Sequence, residues 1–207
     1  MKLATVLRPA WGFLIVLACA AGAVNAAEAS RSVLLVATDR LAGSGYDETV
    51  LIASPLPSGE YIGFIVNRPT PVKLGTLFPE HAPSRKVVDP VYFGGPVLSE
   101  SLFAVARRMP EGGGETVPLM PGLVLVIDGA TVDRVIETMP NDARYFAGLV
   151  VWRPGELDEE LRAGAWEVRP ADAGTVFHAN PAGLWKDLHS APRGTGRGVS
   201  VRWLVAP

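Results

Sequence analysis

The chain has 207 residues, 48% of them hydrophobic, and a formal net charge of −2. That apolar content excludes an intrinsically disordered chain, and its length suits one domain with a sizeable core. The mildly acidic balance argues against non-specific binding of nucleic acid, which depends on neutralising phosphates.

The first segment carries a targeting pattern. Lys2 and Arg8 precede the apolar run Trp11 to Ala23, and Val24-Asn25-Ala26 offers small residues to a signal peptidase. Residues 1–26 therefore read as an export signal cut after Ala26. The run is shorter than the ~20 residues of a stable membrane anchor. Cys19, the single cysteine, leaves a second route open, because Val16-Leu17-Ala18-Cys19 loosely fits the site of a lipid-bearing cysteine. The membrane is thus reached only through the signal or through a lipid on Cys19, and the expected location is periplasmic or secreted. Without Lys2 and Arg8, 17 basic residues face 21 acidic ones, a net charge of −4. A chain cut after Ala26 holds no cysteine, which removes disulfides, thiolate metal sites and cysteine nucleophiles together.

The following apolar runs are short and valine-rich. Val33 to Ala37, Val50 to Ala53, Tyr61 to Val66, Val91 to Phe93, Leu102 to Ala106 and Leu123 to Ile127 read as strands separated by Gly, Pro, Asp and Ser. Glu111 to Glu115 reads as a surface loop extending a hairpin. Val132, Val135, Ile136 and Met139 form one helical stripe, with Asp133, Arg134 and Glu137 turned to water. Tyr145 to Trp152 is another strand. A second helix starts at Pro154 and uses Leu157 and Leu161 as its buried side. Trp166 to Val168 makes a short strand and Pro181 to Leu188 a terminal helix. Residues 27–190 then form the domain, and 191–207 form a linker ending in a strand-like tail, Val199 to Val205. Such an order predicts a single α+β domain.

Few residues look chemical. Tyr61 to Pro71 reads YIGFIVNRPTP, and Arg68-Pro69 should end its strand because proline restricts the residue before it and donates no ladder bond. Asn67 suits a turn, and Arg68 is either part of that turn or a ligand-facing cation. Gly94, Gly95 and Pro96 mark a tight bend or a close backbone approach. No nucleophile elbow, phosphate loop or full dinucleotide fingerprint occurs, and Gly43-Ser44-Gly45 is only a fragment of the last. His81, His178 and His189 share no helix face with another ligand type, so neither a metal nor a cofactor is expected. The acids Glu156 to Glu160 fit a helix N-terminus. Asp39, Asp47 and Glu48 read first as turn residues, and Trp152, Trp166 and Trp185 as core anchors rather than an interface.

In four ordered places the chain resembles the bacterial YqgE/AlgH family: LLVATDRLAGSGYDETVLIA, GFIVNRP, VYFGGPV, and RYFAGLVVWRPGELDEELRAGAWEVRPAD with TVFHANPAGLWKDL after it. The resemblance spans roughly Val33 to Leu188. It implies an α+β fold in which a mixed, mostly antiparallel sheet bends into a partial barrel beside flanking helices. Its members are mostly cytosolic and labelled transcriptional regulators, with no catalytic set to carry over. This chain departs from them in its leader, in Val150-Val151-Trp152-Arg153 where the family is glycine-rich, and in its tail. The reading that follows is a non-enzymatic binding or regulatory module for a small molecule or protein. Its candidate cleft is formed by Asn67, Arg68, Pro69, Gly94, Gly95 and Pro96. Two alternatives stay open: a hydrolase of a small anionic substrate, with Arg68 as clamp and an acid from Asp39 to Glu48 as base, and a cytosolic DNA-associated regulator that keeps its N-terminal segment.

Overall fold

Alternation along the first strands explains why so many consecutive residues are apolar. In β1 (Val33–Ala37) and β2 (Val50–Pro55), Leu34, Val36, Val50 and Ile52 enter one core, while Val33, Leu35, Leu51 and Ala53 enter a second on the opposite face. Successive side chains of a strand point to opposite sides, so a strand covered on both faces needs an unbroken apolar run. The computed structural model describes residues 32–191. The leader, Cys19 and the tail strand Val199 to Val205 lie outside the described residues.

Among the described residues, ten strands make one curled sheet, a half-barrel with few helices. After β2 come β3 (Tyr61–Ile65), β4 (Pro69–Lys73), β5 (Pro90–Phe93), β6 (Val97–Ala106), β7 (Thr116–Met120), β8 (Leu123–Val126), β9 (Ala143–Trp152) and β10 (Trp166–Pro170). The main order is β10-β1-β2-β3-β9-β6-β8-β7, with β4 and β5 as a side branch. All pairs are antiparallel except β5 with β9.

β9 is the shared strand. Its first half pairs with β6 on one edge and β5 on the other; its second half passes to β3 through Val150, Val151 and Trp152. The changeover falls at Gly148, whose φ of 72° only glycine adopts without strain. A Cβ there would lie 2.2 Å from Gly95 O, and one on Gly94 would lie 2.2 Å from Gly148 O. The two glycines after β5 therefore let that chain cross β9 at backbone contact.

Three helical layers cover the sheet. α2 (Gly129–Thr138) buries Val132, Val135 and Ile136 over β6, β8 and β9; α3 (Glu156–Arg162) buries Leu157 beside Trp152 and Trp166. The C-terminal α4 (Ala173–Val176) and α5 (Leu184–Ser190) place Val176 and Leu184 in the core between. α1 (Leu74–Leu77) and a 3-10 turn, Ala82–Lys86, complete the frame. Glu160 Oε2 accepts from both indoles, Trp152 Nε1 at 2.9 Å and Trp166 Nε1 at 2.6 Å, while Trp185 Nε1 donates to Ala37 O at 2.9 Å. All three tryptophans are anchored inside the domain.

Several expectations change in detail. The 111–115 loop does not extend a hairpin: it joins β6 to β7, and β8 lies between those two strands. β4 and β7 were hidden by Pro69, Pro71 and Pro118, which edge strands tolerate because their outer N–H needs no partner. The second helix starts at Glu156 rather than Pro154, since Gly155 adopts φ 85° at its N-cap. The terminal helix divides into a 3-10 turn at Pro181–Gly183 and α5.

Two stability outcomes follow from these contacts. Gly94→Ala should lose about 3–5 kcal/mol in urea unfolding, because backbone and not a mobile side chain blocks the new methyl. Gly45→Ala, which meets nothing within 4 Å, should stay within about 0.5 kcal/mol of wild type. Asp128 caps α2 by accepting from Thr131 N at 2.9 Å. Desolvation pushes its carboxyl upward, but hydrogen bonds from Thr131 and from Glu115 N–H outweigh this and hold it below its ordinary value. Asp128→Ala should therefore cost about 1 kcal/mol at pH 7. Because the folded state lowers this pKa, the stabilisation is present above about pH 4 and is lost as pH falls through the lowered value. The gap between variant and wild type in urea melts should close on acidification.

Candidate functional site

The two recognisable turn motifs meet, but through backbone. Phe93 N donates to Arg68 O at 2.9 Å, Ile65 N donates to Gly94 O at 2.9 Å, and Pro69 stands opposite Tyr92. These direct bonds leave no space between the atoms that make them. Gly94 and Gly95 are buried, whereas Pro69 and Pro96 are exposed.

Side chains of the first motif reach elsewhere. Asn67, 7% exposed, accepts from Val50 N at 2.9 Å and donates to Glu48 O at 2.8 Å. It is a long-range clamp on the end of β2 rather than the local turn residue expected from sequence. Arg68 donates to Gly45 O at 2.8 Å, Asp47 O at 2.9 Å and Thr49 Oγ1 at 2.8 Å. Together they fix the loop between β1 and β2, including Glu48 in its left-handed conformation at φ 50°. Asp47 itself turns inward on that loop, accepting from Gly43 N at 2.9 Å.

A hollow opens between α2, the segment Phe78 to His81, and Ser101 and Leu102 of β6. Its volume is about 670 Å³. Phe78, Leu102, Ile127, Val132 and Ile136 line it with apolar surface, and Phe78 is 42% exposed. His81, Ser101 and Asp133 supply its polar atoms.

The wall carrying His81 is well held. Phe78 O accepts from His81 N at 3.1 Å, and His81 O accepts from Ser84 N at 3.1 Å. Arg85 Nη1 donates to Pro79 O at 2.8 Å, and Gly75 packs so closely that a Cβ would lie 2.9 Å from Arg85 Cγ. Farther on, Asn141 joins this segment to the end of α2 by accepting from Val88 N at 2.9 Å and donating to Lys86 O at 3.1 Å. His81 Nδ1 lies 2.7 Å from Ser84 Oγ, and His81 Nε2 lies 3.5 Å from Asp133 Oδ1. Glu137, one turn beyond Asp133, joins the same cluster.

From the pattern of the sequence, Asp133 and Glu137 lie on a solvated helix face and His81 in an isolated loop. The acids' spacing was visible; the histidine's approach was not, because it depends on how the 3-10 turn packs on α2. The other histidines stay apart from this cluster: His178 Nδ1 is 3.0 Å from Asn180 O, and His189 stacks on Trp185 at 4.5 Å.

A family model described as AlgH-like matches residues 34–194. A UPF0301 protein of Streptomyces coelicolor is 32% identical over 165 residues, which cover 78% of this chain and 86% of the relative. A UPF0301 protein of Chlorobium phaeobacteroides is 29% identical over 155 residues, covering 73% and 81%. The solution structure of the AlgH protein from Pseudomonas aeruginosa has a TM-score of 0.62 at 22% identity, covering 84% of this chain and 92% of that one. A Corynebacterium diphtheriae crystal structure gives 0.61 at 24%, covering 78% and 86%. These two likenesses are of fold.

The clamp gives a direct test. Asn67→Ala strands the buried Val50 N–H and should cost about 2 kcal/mol in urea unfolding. Amide exchange should quicken at Val50 and around Gly43 to Thr49 before it does in α2.

Proposed function

The chain belongs to the AlgH-like family, and on that premise we propose that it is a non-enzymatic binding module whose working surface is the α2 groove. Its occupant is a small ligand with an apolar body and a cationic or hydrogen-bonding end. The observation that carries this reading is the groove itself. Its volume of about 670 Å³ falls within the ~300–1,000 Å³ of small-ligand sites, and its apolar walls end at one polar corner. The apolar lining would take the body of the ligand, and His81 with Asp133 would take its polar end.

Two details favour binding over catalysis. Ser84, His81 and Asp133 have the residue types of a hydrolytic triad, yet Ser84 is 0% exposed, so a substrate carbonyl has no route to its hydroxyl. Arg68, the clamp that an anion-specific hydrolase would use, already gives its guanidinium to three acceptors of the 45–49 loop. The acidic balance argues likewise against a DNA-associated regulator. We also hold to export, on the pattern of residues 1–26. Edman sequencing of protein recovered from cell fractions should read from Ala27 in the periplasmic fraction. An intact Met1 in the cytosol would return the protein to its family's usual compartment.

The groove is tested by a fragment screen followed through amide NMR shifts. Apolar fragments with an amine or amide end should move the signals of Ile127, Gly129 and Val132. Ala130→Trp, which fills the hollow from an exposed helix position, should abolish those shifts while the melting temperature stays near wild type. Shifts that cluster instead at Asn67 and Gly95 would move the site to the paired turns.

A further inference from the structure

We propose that His81, Asp133 and Glu137 form a binding site for a divalent transition-metal ion, with zinc as the best-matched member of that class. The inference goes beyond the groove reading and does not rest on it.

The three side chains come from two elements, the cap of the Ala82–Lys86 turn and one face of α2. Their ligand atoms lie within 4.8 Å of one another. Asp133 and Glu137 stand one helical turn apart, where like charges repel when nothing lies between them. Two neighbouring arginines are engaged elsewhere: Arg134 Nη1 donates to Gly113 O at 2.5 Å, and Arg85 Nη1 to Pro79 O at 2.8 Å. The pair of carboxylates thus faces His81.

The imidazole supplies the second observation. Its Nε2 is buried and makes no hydrogen bond, although it points toward Asp133. The 3.5 Å from Nε2 to Asp133 Oδ1 is too long for a good hydrogen bond. It does suit two donors on one cation: bonds of about 2.1 Å at a tetrahedral angle put ligand atoms about 3.4 Å apart. The other ring nitrogen is held at 2.7 Å by the hydroxyl of Ser84, a buried residue that fixes the ring's orientation as an outer partner of a metal-bound histidine does.

Donor chemistry selects the ion. One imidazole with two carboxylates suits zinc or another first-row divalent ion better than calcium or magnesium, which favour all-oxygen shells. Three protein ligands leave coordination positions over, and His81 and Asp133 also line the groove. A metal here would therefore be reachable by a donor atom on a groove-bound molecule.

The test uses the full chain, freed of any affinity tag and of metal by chelation. Zinc should bind with one-to-one stoichiometry in calorimetry and shift the ring signals of His81 while leaving His178 and His189 in place. Cobalt, used as a spectroscopic stand-in, should produce visible absorption bands. His81→Gln and Glu137→Gln should each weaken zinc binding at least tenfold and remove the cobalt bands. Glu159→Gln, on α3, should change neither. Glu137 is exposed, so its variant also answers the case in which His81→Gln fails to fold. Zinc affinity unaltered in Glu137→Gln, or no uptake at millimolar zinc, would overturn the site. A His81 ring whose signals never respond to metal would instead mark a plain histidine–aspartate contact, and would overturn it too.

Discussion

The structure turns on the crossing of β9 by the Gly94-Gly95 segment. Gly148 O, Gly94 and Gly95 O approach within distances that no Cβ could occupy, and this lets one strand serve two halves of the sheet. Above the crossing β9 belongs with β5 and β6; beyond it, with β3. A side chain at any of these glycines would disturb all three apolar clusters, because residues of β9 enter each of them. The curl of the sheet also draws on the right-handed twist that every strand carries.

Polar groups around that crossing are used for construction. Arg144 on β9 is only 4% exposed, pairs with Asp89 at 3.1 Å, and donates to Val176 O at 2.6 Å and His178 O at 2.8 Å. Its guanidinium also lies over Tyr92. One buried cation thus fastens α4 and the chain after it to the sheet, in a setting where losing a partner is costly. Asn67 and Arg68 do the same for the β1–β2 loop, and Glu160 for two tryptophans. Residues that look reactive in the sequence are, in this fold, largely ties between segments distant along the chain.

The groove and the acidic cluster sit apart from these ties. They are built where α2, capped by Asp128, faces a short turn held by Arg85 and Asn141. The walls have an apolar lining and one nitrogen without a hydrogen-bond partner, Nε2 of His81. The family model spans residues 34–194, which take in all the described helices and all of the sheet but its first residue.

The sequence by itself determined the α+β class, eight of the ten described strands to within two residues of their ends apart from the start of β6, and the amphipathic faces of α2 and α3. All of these depend on local periodicity. It also marked Gly94-Gly95 as a tight bend or a close backbone approach, and the contact with Gly148 and Leu149 selects the second. Only tertiary structure decided that β4 and β7 are strands, since their prolines are tolerable solely at an edge, and edges exist only once the sheet is assembled. Only tertiary structure turned Asn67 from a turn former into a clamp and brought His81 to Asp133 and Glu137. Those contacts join residues far apart in the chain, and their geometry is fixed by how helices and turns pack on the sheet, which no spacing along one segment encodes.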